Sequence, residues 1–206
     1  MRATCTLALL LACVSSVAAQ DQPAAEPTAI FGTTVVIPSG LRGLVYHMHH
    51  NRKELPDFEK MKPAGPAIYA SSLNVPPQDF REGFPGVTKR NEWFAIDYAG
   101  NFWIAAPGRY TFSLLSDDGA KLYIDDQVVI DNDGLHPPQE KNGGMDLAGG
   151  IHHIRVSYFQ GPKFQVALVL KVAGAGPLRV FSTDEFKPPP DPGQWRFPAK
   201  PGKPQK

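Results

Sequence analysis

Residues Pro107 to Gly134 read P-G-R-Y-T-F-S-L-L-S-D-D-G-A-K-L-Y-I-D-D-Q-V-V-I-D-N-D-G. Tyr110, Phe112 and Leu114 alternate with smaller or polar residues, and after S-D-D-G the alternation resumes at Leu122 and Ile124. A period of two places each set on one face of a β-strand. The breaks between them, Asp118-Gly119 and Asp125-Asp126, are turn chemistry: Asp bonds its own backbone and Gly supplies positive φ. One aspartate is enough for such a turn. Asp117 and Asp118 stand side by side, and adjacent carboxylates repel, so the pair either shapes a turn or holds a cation.

The same β-type runs extend in both directions. Upstream are Thr33–Pro38, Gly43–Met48, Trp93–Tyr98 and Asn101–Ala105; downstream are Val128–Ile130, Met145–Leu147, Ile151–Phe159, Phe164–Val172 and Leu178–Phe181. Ala99-Gly100, Pro107-Gly108, Gly149-Gly150 and Gly161-Pro162 separate several of them as turn signals. Alternation is clearest in His152, Ile154, Val156, Tyr158 and in Val166, Leu168, Leu170, Val172. No helical stripe appears beyond a short turn at Pro56 to Met61. About ten short strands with tight turns predict an all-β, antiparallel two-sheet barrel or sandwich in one domain. Within it, Phe94, Phe102, Tyr110 and Phe112 are expected in the core, with Trp103 on either face.

The 206 residues carry 21 Lys and Arg against 20 Asp and Glu, and Arg2 in the leader supplies the excess. A chain this close to neutral lacks the clustered cations that nucleic acid binding draws on. M-R-A-T-C-T-L-A-L-L-L-A-C-V-S-S-V-A-A-Q has one positive charge, an apolar run and a small-residue end. It reads as an export signal over 1–19, cleaved after Ala19, in a run too short to span a bilayer. Leu10-Leu11-Ala12-Cys13 also resembles a bacterial lipobox, which would put a lipid on Cys13 and make that lipid the only membrane contact. A secreted, periplasmic or cell-surface location follows either way. Cys5 and Cys13 are the only cysteines, so the folded part has neither disulfide nor thiol chemistry. Residues 20–27 read as a polar tether, 28–186 as the β domain and 187–206 as a proline-rich tail, extended or disordered. In that tail Trp195 and Phe197 either dock back on the domain or meet a partner.

Four phrases in one order carry a family resemblance: G-L-V-Y at Gly43, E-W-F-A-I-D-Y-A-G-N-F-W-I at Glu92, the stretch from Pro107, and L-A-G-G-I-H-H-I-R-V-S-Y-F at Leu147. Spanning roughly Leu41 to Val172, they resemble the protective-antigen-type (PA-fourteen) β-barrel domain. E-L-P-D-F at Glu54 and G-F-P-G at Gly83 resemble its bacterial secreted variants. The resemblance implies a two-sheet barrel of the kind found in adhesins, toxins and glycosidase appendages. In the flocculin-type adhesins an Asp-Asp pair joined by a cis peptide binds calcium, and calcium binds sugar hydroxyls; Asp117-Asp118 holds the matching position. Calcium takes six to eight oxygens, so sugar diols complete a shell the protein leaves open. The adhesin site also uses an asparagine and carbonyls from a loop, here Tyr158 to Lys163, where Gln160 stands in for the asparagine beside Gly161.

Asp131, Asp133 and His136 in I-D-N-D-G-L-H form either a ligand-binding rim or a polar hairpin turn, since most ligands of an EF-hand are missing. The stretch from His136 to Gly144 reads as a flexible segment able to cover a site. His47 and His49 share a strand face, with His50 just beyond, but lack a third ligand at zinc spacing. The sequence carries no nucleophile elbow, zinc-protease helix or glycine-rich phosphate loop, which argues against an enzyme. Two functions remain: a non-catalytic module that binds a glycan or polysaccharide through calcium, and a metal-free structural or protein-interaction domain of the envelope or matrix.

Overall fold

The computed structural model describes residues 40–87 and 90–196. The export signal, Cys13, the tether, the expected strand Thr33–Pro38, and Phe197 with the tail beyond it lie outside the described residues. Within them are β1 (Leu41–His47), β2 (Ile68–Ala70), β3 (Asn74–Asp79), β4 (Phe94–Ile104), β5 (Gly108–Asp117), β6 (Ala120–Ile124) and β7 (Gln127–Asn132). β8 (Gln139–Leu147), β9 (Gly150–Gln160), β10 (Gln165–Ala173) and β11 (Arg179–Val180) complete the set. The fold is all-β, with only short 3-10 turns besides, one of them at Phe58–Lys60 inside the expected Pro56–Met61 turn.

One sheet runs β2-β1-β4-β9-β6-β7 and the other β11-β10-β5-β8, with β3 also on β10; every pairing is antiparallel. The sheets stack as a sandwich rather than closing into a barrel. Alternation along the strands decides what lies between them: Phe94, Phe102, Phe112, Leu114, Leu122, Ile154, Tyr158 and Leu168 are all buried there. Each such side chain contributes about 1.5–3 kcal/mol through removal from water. Residues of opposite parity, Tyr46, Ala95 and Phe159, form a second apolar layer on the outer face, covered by Leu55, Phe58 and Met61. Trp103 and Tyr110 are half-buried, so Tyr110 packs on the core without being enclosed by it.

Three local expectations give way. Ala99-Gly100 is not a turn: β4 runs straight through it, and Gly100 is there for close approach, since a Cβ would sit 2.5 Å from the Gly40 carbonyl oxygen. Gln139 to Gly144 is not a loop but the start of β8, paired with β5 from Ser116 to Thr111. Gly143 hides this strand from a propensity reading; a side chain there would strike the Val129 carbonyl, so the glycine lets β8 press on β7. Third, S-D-D-G closes no hairpin. β5 belongs to one sheet and β6 to the other, so Asp117-Asp118-Gly119 is the corner where the chain crosses between them. As far as it is described the tail meets the domain at Arg196, whose carbonyl accepts the Ile151 N–H at 2.8 Å, while Trp195 Nε1 donates within the tail to the Pro189 carbonyl at 2.9 Å.

Candidate functional site

The corner between β5 and β6 places both carboxylates in a buried recess; each residue is only 5% exposed. Their peptide bond is cis. Asp118 is gripped from two sides: Oδ2 accepts the Gly161 N–H at 2.7 Å, and Oδ1 accepts the His136 N–H at 3.2 Å. It thereby ties together the 133–138 loop and the 161–164 loop. Gly161 is fitted to this contact, because a Cβ would lie 2.9 Å from Asp118 Oδ2 and 2.6 Å from Leu135.

Asp117 is fixed from the β9 side. The Tyr158 hydroxyl lies 2.7 Å from both the Asp117 carbonyl and Gln160 Oε1, and its single proton serves one of them at a time. The Gln160 amide nitrogen donates to the Gln165 carbonyl at 2.9 Å and the Pro162 carbonyl at 3.3 Å. Gln160 is therefore fully enclosed, with its oxygen engaged by a hydroxyl. This differs from the expected ligand role: the longer amide turns inward to β9 and its loop. Tyr158 is a site residue that sequence reading showed only as one member of an alternating strand. The signal was available, since a tyrosine on an inward-facing strand position needs a partner for its hydroxyl.

Burial pushes the Asp117 carboxyl up to about 7, with the neighbouring Asp118 charge adding to it. Asp118 is also raised by burial, against the pull of the Gly161 and His136 N–H groups. Among the described residues no lysine or arginine pairs with either carboxylate, and the His136 side chain lies where a positive charge on it would favour theirs. Two close carboxylates desolvated without a protein counter-charge form a hard-oxygen donor set that suits a divalent cation. Among the described residues no group of three or more His, Cys, Asp and Glu is arranged to hold a metal ion, so other ligands to such an ion would be carbonyls, water or the bound partner.

The remaining candidates fall elsewhere. Asp131 and Asp133 face Lys121, whose Nζ is 3.1 and 3.2 Å from their Oδ2 atoms. Asp133 Oδ1 accepts from the Leu55 and Gly134 N–H groups, and Asp131 Oδ1 from the Asp133 N–H, so these carboxylates close a loop and anchor the 48–66 segment. His136 reaches the pair through its backbone, while its ring nitrogens contact the Asn132 and Pro137 carbonyls. His47, His49 and His50 are exposed, His152 is buried against Asp125, and His153 points outward, as alternation requires.

The PA14 domain family matches residues 43–175, which hold β2 to β10, most of β1 and the whole corner. The chain belongs to the PA14 domain family. Three solved structures similar to this PA14 domain fix the fold. The PA14 sugar-binding domain from RTX adhesin is 17% identical at a TM-score of 0.56, covering 71% of this chain and 96% of that one. The Epithelial Adhesin 9 A domain from Candida glabrata, in complex with Galb1-3GlcNAc, is 10% identical at 0.50, covering 72% and 88%. An anti-sigma factor domain-containing protein is 20% identical at 0.58, covering 75% of this chain and 50% of that one, so the chain spans half of that protein's length. No curated protein sequence matches this PA14 domain.

Proposed function

We propose that this PA14 domain is a non-catalytic carbohydrate-binding module of an exported or surface protein, in which Asp117 and Asp118 hold calcium. The observation that carries the reading is the buried, uncompensated carboxylate pair at the sheet-to-sheet corner. The N–H groups of Gly161 and His136 hold the Asp118 carboxylate, and the Tyr158 hydroxyl holds the Asp117 backbone, so the corner is shaped before any ion arrives. Bound there, calcium would supply open coordination positions that two neighbouring sugar hydroxyls fill. Beside Asp118, Leu135 packs close to Gly161 and is 40% exposed, an apolar component for the rim. The sugar-binding and glycan-complexed relatives support the ligand class.

The test is a glycan and polysaccharide binding screen in calcium, in magnesium and in chelator. Binding is expected in calcium alone, restored by re-adding calcium after chelation and absent in Asp118→Asn. Glycan binding that survives chelation, or no binding in calcium, would contradict the reading.

A further inference from the structure

The geometry points to Gln160 as a positioning residue that couples the Asp117–Asp118 corner to the 161–164 loop, rather than as a cation ligand. The amide orientation follows from its partners. Two carbonyl oxygens, Gln165 at 2.9 Å and Pro162 at 3.3 Å, face one end of the amide, and a hydroxyl at 2.7 Å faces the other. Reversing the amide would set its oxygen against two carbonyl oxygens, so nitrogen occupies that end. Its N–H groups thus hold both ends of the loop, and its oxygen shares the Tyr158 hydroxyl with the Asp117 carbonyl. From the opposite side Asp118 holds the Gly161 N–H, while the Gly161 carbonyl accepts from Trp93 at 3.1 Å and the Phe164 carbonyl from Phe80 at 3.2 Å. Loop position and carboxylate position are one hydrogen-bonded unit. Whatever fixes the carboxylates fixes the loop that presents Phe164, and the loop in turn sets how the carboxylates are spaced for an ion.

The calcium arm of the test rests on the proposed function; the loop arm does not. Gln160→Glu retains the oxygen and the length but replaces the donors to Gln165 and Pro162 with a second acceptor. Gln160→Met fills the same volume without buried charge, which guards against simple failure to fold. With calcium chelated, both variants are expected to speed amide exchange at Gly161, Lys163 and Phe164 at least tenfold, with β4 and β9 protection unchanged. Calcium affinity is expected to fall at least tenfold in both. Tyr158→Phe leaves the Gln160 donors in place and is expected to preserve loop protection. A ligand role gives a different pattern: tighter calcium binding in Gln160→Glu and a metal-free loop unaffected by either variant. That pattern, or a change in only one of the two readouts, overturns the coupling. If the native protein takes up no calcium, the calcium reading falls separately, and unchanged loop exchange alone then refutes the role of Gln160.

Discussion

Two pairs of aspartates sit close together at the β5–β6 corner, and they are solved in opposite ways. Asp131 and Asp133 share Lys121 and spend their other oxygens on backbone N–H groups of their own turn and of Leu55. Asp117 and Asp118 are more deeply buried and, among the described residues, face no lysine or arginine. A Cβ on Gly119 would lie 2.9 Å from Asp133 Oδ1, so the two pairs are near neighbours. Proximity in a loop therefore says little about the role of a carboxylate. What separates scaffold from site is whether the protein itself supplies the counter-charge: a compensated pair stabilises the fold alone, and an uncompensated buried pair costs stability until something positive arrives.

The widest split is expected in the metal-free protein at pH 8. Asp133→Ala removes the acceptor of two N–H groups and half of the Lys121 contact, and is expected to cost about 2–3 kcal/mol in denaturant unfolding. Asp117→Asn relieves a buried repulsion and is expected to stabilise by about 1–2 kcal/mol. Equal signs for the two would break the comparison.

The pH dependence sharpens it. The folded state holds the Asp117 proton up to about pH 7, whereas the unfolded chain releases it near the ordinary value of 3.8. Between roughly those limits the folded state binds more protons, so metal-free stability falls as pH rises through that window. Thermal unfolding in chelator should show this slope, Asp117→Asn should flatten it, and saturating calcium should offset the loss at the upper end.

The smallest effect concerns the compensated pair. Lys121 is partly buried between its carboxylates, so Lys121→Met is expected to cost about 1 kcal/mol by denaturant titration. No change would mean that Lys121 is not what distinguishes the two pairs.

Much of this was legible in sequence because period-two alternation reads directly as sheet face. Phe94, Phe102, Phe112 and the β9 and β10 stripes are buried as their parity requires. Strands were missed where long-range contact overrode local chemistry. Proline-bearing β3 survives as a short partner of β10, and glycine-rich β8 exists because Gly143 must pass close to Val129. The Asp117-Asp118 pair stood out by adjacency. Its isolation from lysine did not, since Lys121 finds Asp131 only through the register of β6 on β7. Nor could spacing show that the Gln160 amide turns to Gln165, a contact set by how β9 hands over to β10.

The central claim, that the uncompensated pair is a calcium site and the compensated pair is scaffold, is tested most directly by calcium titration calorimetry on chelator-stripped protein. Native protein, Asp117→Asn/Asp118→Asn and Asp131→Asn/Asp133→Asn would be compared at one pH. The account predicts one equivalent of calcium in the native protein and in the folded Asp131/Asp133 variant, and none in the Asp117/Asp118 variant. Absence of heat in the native protein, or equal heat in the Asp117/Asp118 variant, would contradict it.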